Sequence, residues 1–268
     1  MDVRKTYKLF VNGEFVRSES GRAYRPDGKV NVPRGSRKDL RDAVRAARSA
    51  FPGWAARTAM NRGQILYRAA EMLDGRAAQF IELLGGGARA RRELGQAVET
   101  LVWYAGWTDK LSQVTGTVNP VAGPYFNFTI PEPTGVVAIV APEEAPLSGL
   151  VRRLAPALCG GNVVVTLAAE SKPLAALTLA EVLATSDVPA GMVNILSGQR
   201  KELLPWLAAH MDINAIDTAG CTDDEVKTIE EAAAANVKRV IKLAPDEQSP
   251  YLITAFMEMK TVWHPIGV

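Results

Sequence analysis

Residues 135–140 read GVVAIV, and this apolar run is the first of five that decide the fold. The others are residues 162–166 (NVVVT), 192–196 (MVNIL), 213–216 (INAI) and 239–243 (RVIKL). Each run has the length of a buried strand, and each is separated from the next by a segment long enough for a helix. Because tight turns cannot join parallel neighbours, this alternation predicts an α/β fold: a parallel sheet with right-handed crossovers and helices on both faces.

Upstream of this pattern, the sequence predicts a hairpin followed by helices. Asn12 and Gly13 lie between β-forming residues, which is the strongest short signal for a hairpin over residues 9–16. Ser36 and Asp39 form a capping-box pair ahead of an apolar stripe at helical spacing.

A second helix is predicted to run from Ile65 to Leu84, where three glycines end it. Arg89, Arg91 and Arg92 then indicate a solvated connection, and a further helix is expected over residues 93–111. No strand precedes the basic glycine segment, so a phosphate loop there is disfavoured. Residues 125–130 (YFNFTI) end at a Pro-Glu-Pro run, which suits an edge ribbon.

Composition excludes several classes of function. The chain has 268 residues, 47% of them hydrophobic, with 31 basic and 29 acidic side chains. A net charge of +2 gives no reason to expect a nucleic-acid or membrane partner. Two cysteines and two histidines have neither a disulfide pattern nor zinc spacing, so no metal is expected. No apolar run is long enough to span a bilayer, and we expect a cytoplasmic protein.

Five stretches together resemble the aldehyde dehydrogenase superfamily, in order and spacing over nearly the whole chain. They are residues 10–15 (FVNGEF), 43–48 (AVRAAR) with Phe51 and Trp54, 103–110 (WYAGWTDK), 132–137 (EPTGVV) and 156–165 (PALCGGNVVV). The resemblance implies a Rossmann-like sheet that binds NAD or NADP in the family, a catalytic domain with a nucleophilic cysteine, and a β-ribbon used for oligomerisation. No Gly-x-Gly-x-x-Gly follows any predicted strand, so the usual dinucleotide motif is missing.

The junction near the C-terminus departs from the family. Residues 238–243 (KRVIKL) lead through 244–248 directly into residues 251–268, of which 258–263 (EMKTVW) resemble the strand that closes family members at their far C-terminus. The family's catalytic domain normally lies between these two segments. We therefore expect that domain to be absent.

Individual positions also depart from the family pattern. Glu144 falls where the family has an asparagine that stabilises the oxyanion, and a carboxylate accepts hydrogen bonds rather than donating them. Leu167 replaces a lysine that hydrogen-bonds the adenosine ribose. Glu170 keeps the matching acidic position and is the one candidate cofactor-binding residue, although a favourable interaction with a helix dipole explains it more simply.

The helix expected to receive the cofactor's pyrophosphate begins with acidic residues. Residues 217–225 read DTAGCTDDE where the family has Thr-Gly-Ser-Thr, and Asp223, Asp224 and Glu225 would repel phosphate at a helix N-terminus that otherwise attracts it. The family's catalytic glutamate has no counterpart in residues 243–245 (LAP).

Neither cysteine is expected to act as a nucleophile. Cys159 lies in an apolar run and is interpreted as a buried structural thiol. Cys221 is better placed at a helix N-terminus, but the acidic run 223–225 opposes thiolate formation. His264, beside Pro265, is expected to be an exposed polar residue at the end of a strand. We predict no catalytic residues.

The C-terminal run from Tyr251 to Trp263 is too apolar to stand free and is predicted to pair as a strand. In the family, the corresponding strand joins the ribbon that matches residues 117–130 here and docks on a neighbouring subunit. The sequence therefore predicts a non-catalytic structural or regulatory subunit whose partner is a full-length aldehyde dehydrogenase, bound through this strand and the ribbon at Tyr125 to Ile130.

Two alternatives remain open at this stage: a minimal NAD(P)-dependent aldehyde oxidoreductase and a nucleotide-sensing module. A non-catalytic subunit needs no bound cofactor, whereas each alternative requires NAD or NADP. The predicted organisation is a hairpin and helices over residues 1–116, a β-ribbon over 117–133, a Rossmann-like domain over 134–248 and an oligomerisation strand over 249–268.

Overall fold

The computed structural model describes residues 5–243 and 248–267, which form twelve strands and ten helices. The strands are β1 (Leu9–Val11), β2 (Glu14–Val16), β3 (Ala23–Tyr24), β4 (Val32–Pro33), β5 (Thr117–Asn119), β6 (Tyr125–Pro133), β7 (Val136–Val140), β8 (Val163–Leu167), β9 (Val193–Leu196), β10 (Ala215–Asp217), β11 (Arg239–Ile241) and β12 (Met257–Pro265). The helices are α1 (Arg37–Ala55), α2 (Ala59–Gly75), α3 (Ala77–Leu83), α4 (Gly87–Ala105), α5 (Leu111–Thr115), α6 (Ser148–Cys159), α7 (Leu174–Leu183), α8 (Arg200–Ala209), α9 (Asp223–Ala233) and α10 (Pro250–Ala255).

The five apolar runs form the parallel sheet that the sequence predicts. The strand order is β11-β10-β7-β8-β9, and every neighbouring pair within this group is parallel. The chain builds β7, β8 and β9 outward in one direction, then returns to place β10 and β11 on the other side of β7. The predicted Rossmann-like α/β fold is therefore confirmed, and β7 and β10 flank the point at which the strand order reverses.

Helices cover both faces of this sheet. α6 packs on β7 and β8, and α7 packs on β9, while α1 crosses β7, β8 and β9 from the other side in a layer with α8 and α9. α2 and α4 pack outside α6 as a further layer. All residues of β7 and β8 are buried, as expected for strands covered on both faces.

The N-terminal hairpin extends the same sheet, which the sequence did not predict. Asn12 and Gly13 take positive φ angles of 54° and 77°, as a tight two-residue turn requires. β1 pairs with β9 antiparallel through Phe10 and Ile195, and the backbone N–H of Asn12 donates to Oδ1 of Asn194 at 2.9 Å. The hairpin thus covers the edge that β9 would otherwise leave open.

Two helix predictions are wrong in detail. The helix predicted from Ile65 to Leu84 is interrupted at Arg76, whose side chain turns to Glu181 with Nη2 2.5 Å from Oε2. The arginines predicted to mark a connection, and the helix start predicted at residue 93, lie within α4, which begins at Gly87, the last of the three glycines. All three glycines have positive φ, so the chain passes from α3 to α4 through a shorter connection than the sequence pattern suggested.

The strand predicted from Tyr251 begins only at Met257. Residues 250–255 form α10 instead, with Pro250 at the helix start, and the side chains of Leu252, Ile253 and Phe256 are fully buried in the main core. Asn162 fixes the end of this segment, because its Nδ2 donates to the carbonyl oxygen of Phe256 at 2.9 Å. Residues 250–256 therefore belong to the core of the parallel-sheet domain, and only β12 belongs to the ribbon.

β12 completes a separate three-stranded antiparallel sheet of order β12-β6-β5, which we call the ribbon sheet. β12 pairs with β6 along its whole length, from Met257 opposite Pro133 to Pro265 opposite Tyr125. None of the helices in residues 5–243 and 248–267 is long and apolar enough to cross a bilayer.

Candidate functional site

The first candidate site is the crevice beyond the carboxyl ends of β7 and β10. In open α/β sheets, ligands bind at the point where the strand order reverses, because the loops there diverge and leave a cleft. In this chain the two loops begin at Ala141, after β7, and at Thr218, after β10. The residues around them decide whether a nucleotide fits.

Arg200, the first residue of α8, lies in this crevice and is 9% exposed. Its Nη2 donates to the carbonyl oxygen of Ala141 at 2.5 Å, and its Nη1 donates to that of Gly220 at 2.6 Å. One guanidinium therefore bridges the two loops that border the crevice.

Two carboxylates hold the guanidinium in place. Oε1 of Glu143 lies 2.9 Å from Nη2 of Arg200, and Oε2 of Glu225 lies 3.6 Å from Nη1. Glu143 also accepts the backbone N–H groups of Glu170 at 2.7 Å and Ser171 at 3.0 Å. Burial acts to raise the pKa of Glu143, but the hydrogen bonds from Ser171 and Glu170 and the charge of Arg200 outweigh it, so this pKa is lowered.

Gly220 brings the backbone of one loop against the other. A Cβ atom at this position would lie 2.3 Å from the carbonyl oxygen of Val140 and 2.6 Å from that of Ala141. Only glycine permits this approach without a shift of the backbone. The crevice is thus narrowed by the main chain and filled by Arg200.

Glu170, the predicted cofactor contact, makes a structural hydrogen bond. Its Oε2 accepts the backbone N–H of Arg200 at 2.7 Å and so caps the N-terminus of α8. The helix-dipole interpretation thus has a specific partner, although the helix is α8 rather than the one that follows Glu170. Leu167, at the position of the family's ribose-binding lysine, is buried and offers no side-chain hydrogen bond.

The N-terminus of α9 is satisfied by its own side chains. Thr222 and Glu225 form a capping box, with the backbone N–H of Thr222 donating to Oε2 of Glu225 at 2.9 Å. Asp223 and Asp224 add two more carboxylates to this first turn. A phosphate group would meet charges of its own sign there, and the free N–H groups that attract anions are already partly used.

The cysteines are poorly suited to nucleophilic chemistry. Burial and the nearby Glu225 raise the pKa of Cys221 to about 12, although Arg200 acts in the opposite direction. Burial likewise raises the pKa of Cys159, which is inaccessible, to about 12. A thiol with such a pKa carries almost no thiolate at neutral pH.

Glu144 lies exposed near the start of α6, where its carbonyl oxygen accepts a long, 3.4 Å hydrogen bond from Arg89. Two residues of the run that lacks the family's catalytic glutamate, Ala244 and Pro245, lie outside the described residues. His264 is exposed at the end of β12, as predicted. In the described part of the chain, no group of three or more His, Cys, Asp or Glu side chains could hold a metal ion.

Taken together, the crevice does not fit a dinucleotide. Arg200 occupies the space between the loops, Leu167 supplies no donor, and the first turn of α9 is acidic. The sequence identified Leu167 and the acidic turn but missed Arg200 and Glu143. The sequence signal for Arg200 is its position only four residues after the end of the strand at 193–196, and no known motif describes that spacing.

The second candidate site is one face of the ribbon sheet. Because directly paired residues point to the same side, Val118, Phe128 and Val262 form a row across the three strands, with Phe126 and Ile130 on either side of Phe128. We call these five residues the apolar face. Val118 is 69% exposed and Phe126 45% exposed.

The opposite side of the ribbon sheet carries hydrogen-bonded polar side chains together with exposed aromatic residues. Asn119 donates to Asn127 at 2.6 Å and to Thr129 at 2.9 Å, and Thr129 bonds Thr261 at 2.9 Å. Its aromatic pair, Tyr125 and Trp263, meets edge to face with ring centroids 5.7 Å apart. This side therefore pairs several of its own polar groups, although the buried Nδ2 of Asn127 has no hydrogen-bond partner within the described residues, whereas much of the apolar face is exposed.

Comparison with known proteins identifies the family of this chain. The family model for the aldehyde dehydrogenase family matches residues 24–261. The chain belongs to the aldehyde dehydrogenase family. Mouse retinal dehydrogenase 2 is 36% identical over 267 residues, and mouse cytosolic 10-formyltetrahydrofolate dehydrogenase is 34% identical over 271 residues.

Solved aldehyde dehydrogenase structures match the fold closely. An NAD+ complex of the Bacillus cereus enzyme superposes with a TM-score of 0.81 at 29% identity, covering 88% of this chain and 50% of that one. The match to retinal dehydrogenase 2 covers 94% of this chain and 51% of that enzyme. This aldehyde dehydrogenase family member thus spans about half the length of these two relatives and 30% of the mouse 10-formyltetrahydrofolate dehydrogenase, whose match covers 95% of this chain.

Proposed function

We propose that this chain is a non-catalytic subunit that docks on a complete aldehyde dehydrogenase through its ribbon sheet. The observation that carries the proposal is the apolar face, which joins the neighbouring strands β5 and β6 to the distant β12 and is largely exposed. A contiguous apolar surface on an ordered sheet is typical of a protein–protein contact.

The two outer strands of the ribbon sheet strengthen this proposal. Within the described residues, no strand pairs with the outer edge of β5 or of β12. An exposed edge offers main-chain hydrogen bonds to an added strand, while the side chains of the face give specificity. A complete aldehyde dehydrogenase is the proposed partner because this chain matches only about half of retinal dehydrogenase 2 and of the Bacillus cereus enzyme. The other half of each of those proteins has no counterpart in the match.

The chemistry near the crevice supports a non-catalytic role. Cys221 has a pKa of about 12, and Glu144 offers an acceptor where an oxyanion needs a donor. The proposal places the protein in the cytoplasm, in line with the name of its cytosolic mouse relative.

The test is assembly with the complete aldehyde dehydrogenase of the same host, measured by native mass spectrometry of the purified proteins. We expect a mixed oligomer with the unaltered chain and none with the double variant Phe126→Asp/Val262→Asp, because two carboxylates would be desolvated in the contact. Tyr67→Asp is the matched control, since Tyr67 is 50% exposed on α2, away from the ribbon sheet.

Assembly that persists undiminished in the double variant would disprove docking through the apolar face. A stable homodimer that excludes the complete enzyme would replace the proposed partner by a second copy of this chain. Deleting residues 259–268 should also abolish the complex while sparing the core, whereas a deletion from residue 251 would remove Leu252, Ile253 and Phe256 from it.

The alternative of a minimal aldehyde oxidoreductase is favoured by family membership and by neighbours solved with NAD, including the enzyme PnpE. It predicts aldehyde-dependent reduction of NAD or NADP by the purified chain, and loss of that turnover in Cys221→Ala. Our proposal expects no turnover in either protein. The nucleotide-sensing alternative predicts NAD binding without turnover that is lost in Glu170→Ala.

A further inference from the structure

The helices α1 and α9 carry opposite charges on either side of α8. α8 lies between them and packs on both, in the layer that covers one face of the parallel sheet. α1 has five basic and two acidic side chains, whereas α9 has five acidic and one basic. A two-fold axis parallel to α8, over its exposed side, places each α1 opposite the α9 of a second copy, so the charge pattern complements itself. We propose that the solvent face of α1, α8 and α9 is an interface between two copies of this chain.

The basic side of this face has charges that the folded chain leaves available. Arg37, Arg41 and Arg45 recur every four residues and so form a row along the exposed side of α1. Arg41 pairs with its neighbour Asp42, whereas Arg37 and Arg45 form no ion pair within the described residues. An acidic helix of a second copy would meet this row of cations.

The acidic side of the face is the exposed surface of α9. Asp223, Asp224 and Glu231 are exposed, and none of them forms an ion pair within residues 5–243 and 248–267. Ile229 and Ala233 are buried on the other side of this helix. Because exposed ion pairs contribute little energy each, the charges would set the orientation of the two copies more than their affinity.

Apolar side chains at the centre of the face supply affinity. Trp206 on α8 is 44% exposed, and the guanidinium of Arg37 stacks on its ring, with Cζ 3.7 Å from the ring centroid. Met211, two residues after the end of α8, is 66% exposed. Together with Leu40, these residues line a groove of about 700 Å³ between α1 and α8. Trp, Met and Arg are enriched in protein–protein interfaces, and Trp and Arg often dominate the binding energy.

A backbone constraint adds a further apolar residue near the end of α8. Val237 has a φ of 55°, which a β-branched residue rarely adopts, and it is 92% exposed. Its neighbours fix this conformation, because Asn236 donates to the carbonyl oxygen of Met211 at 3.2 Å and Lys238 donates to that of His210 at 2.9 Å. The valine is therefore held in solvent beside the Met211 loop, and contact with a second copy would remove both apolar side chains from water.

The experiment reverses the charge on one side of the face at a time. Sedimentation velocity measures the self-association of the unaltered full chain, of Arg41→Glu/Arg45→Glu and of Asp224→Lys/Glu231→Lys. Each variant alone brings like charges together at both contacts of a two-fold dimer, whereas a mixture of the two variants pairs opposite charges at both. We expect each variant alone to dimerise at least about tenfold more weakly than the unaltered chain, and an equal mixture to regain the unaltered affinity.

The matched control is Arg91→Glu/Arg92→Glu, which should dimerise as the unaltered chain does. Both arginines are exposed on α4, which packs outside α6 on the other side of the sheet. Added salt should weaken the unaltered dimer, because it screens the attraction between exposed charges. Trp206→Ala should weaken the dimer as well, since it removes the largest apolar side chain of the face.

A chain that stays monomeric at every protein concentration overturns the inference, and so does a dimer that both charge reversals leave unchanged. If Asp224→Lys/Glu231→Lys does not fold, Glu231→Lys is measured with Arg45→Glu instead, and the same recovery on mixing is required. Loss of the dimer in Phe126→Asp/Val262→Asp, but in neither reversal, would assign the contact to the ribbon sheet and refute the inference. The inference does not rest on the proposed docking, since self-association is measured on the isolated chain.

Discussion

The crevice of the parallel sheet and the apolar face of the ribbon sheet differ in what they leave available for binding. The crevice is bordered by polar groups, but those groups are paired with one another through Arg200. The apolar face is bordered by His264 and by Lys260, which pairs with Glu132, and much of its own area is exposed. The crevice groups are mostly paired and the apolar face is exposed, and on this ground we propose that binding takes place on the ribbon sheet.

The two regions also differ in how much their side chains contribute to the free energy of folding. Residues that pack on the parallel sheet are buried and stabilise the fold, whereas most of those of the apolar face are exposed and contribute little to folding. Variants should therefore separate into those that change stability and those that change assembly.

A matched pair of phenylalanines gives the largest contrast. Phe256 is fully buried in the main core, and Phe126 is 45% exposed on the apolar face. We expect Phe256→Ala to lower the free energy of unfolding by about 3–5 kcal/mol, because it removes packing and leaves a cavity. Phe126→Ala should cost less than about 1 kcal/mol and weaken assembly instead. Urea unfolding measures the first quantity, and similar losses in the two variants would contradict the separation.

A matched pair of glycines tests how tightly the crevice loops approach. Gly220→Ala places a Cβ within 2.3 Å of the Val140 carbonyl oxygen, whereas a Cβ added at Gly95, an exposed position on α4, would have no neighbouring atom within 4 Å. Overpacking should lower the stability of Gly220→Ala by about 1–3 kcal/mol. Gly95→Ala should instead raise stability by up to about 1 kcal/mol through helix propensity. A neutral Gly220→Ala in thermal unfolding would show that the two loops can separate without cost.

The hydrogen bonds that Glu143 accepts from Ser171 and Glu170, together with the charge of Arg200, predict a pH dependence. Because the pKa of Glu143 is lowered in the folded chain, its contribution to stability is full above the ordinary pKa of a glutamate and is lost as pH falls through the lowered value. Glu143→Gln should be less stable than the unaltered chain by about 1–3 kcal/mol at pH 7, because a charged hydrogen-bond acceptor is lost. The two should converge at acidic pH. A difference that stays constant between neutral and strongly acidic pH would exclude the ionised carboxylate as its cause.

Sequence patterns predict the strands and turns more reliably than the tertiary contacts that those elements make. The five strands follow from local apolar runs, and the hairpin follows from Asn12 and Gly13, since these signals depend on near neighbours. The pairing of β1 with β9 joins residues that are far apart in the chain, and no local pattern encodes it. The run from Tyr251 has apolar residues that fit either period, and only the burial of Leu252 and Ile253 in the core shows that it begins as a helix.

Some residues of the candidate site can likewise be predicted from the sequence, and others cannot. Leu167 and the acidic turn of α9 can be predicted because a single substitution at a known position carries the argument. The role of Arg200 depends on carbonyl groups and carboxylates from four separate segments of the chain, at 141–143, 170–171, 220 and 225. Arginine at the start of a helix is ordinary in sequence, so only the three-dimensional arrangement reveals that it bridges the two crevice loops.

A further expected effect concerns the other end of α8. Lys238 is buried, and its Nζ donates to the carbonyl oxygens of Ala208 at 2.7 Å and His210 at 2.9 Å, so α8 has a cation at each end. Burial lowers the pKa of Lys238 to about 8, whereas in the unfolded chain it keeps the ordinary value of 10.5. Between these two values the unfolded state binds more protons, so this residue makes stability rise with pH. We expect the difference in melting temperature between the unaltered chain and Lys238→Met to shift in favour of the unaltered chain as pH rises from about 8 to about 10. A constant difference over that range would show that Lys238 titrates as an exposed lysine does, and would contradict the prediction.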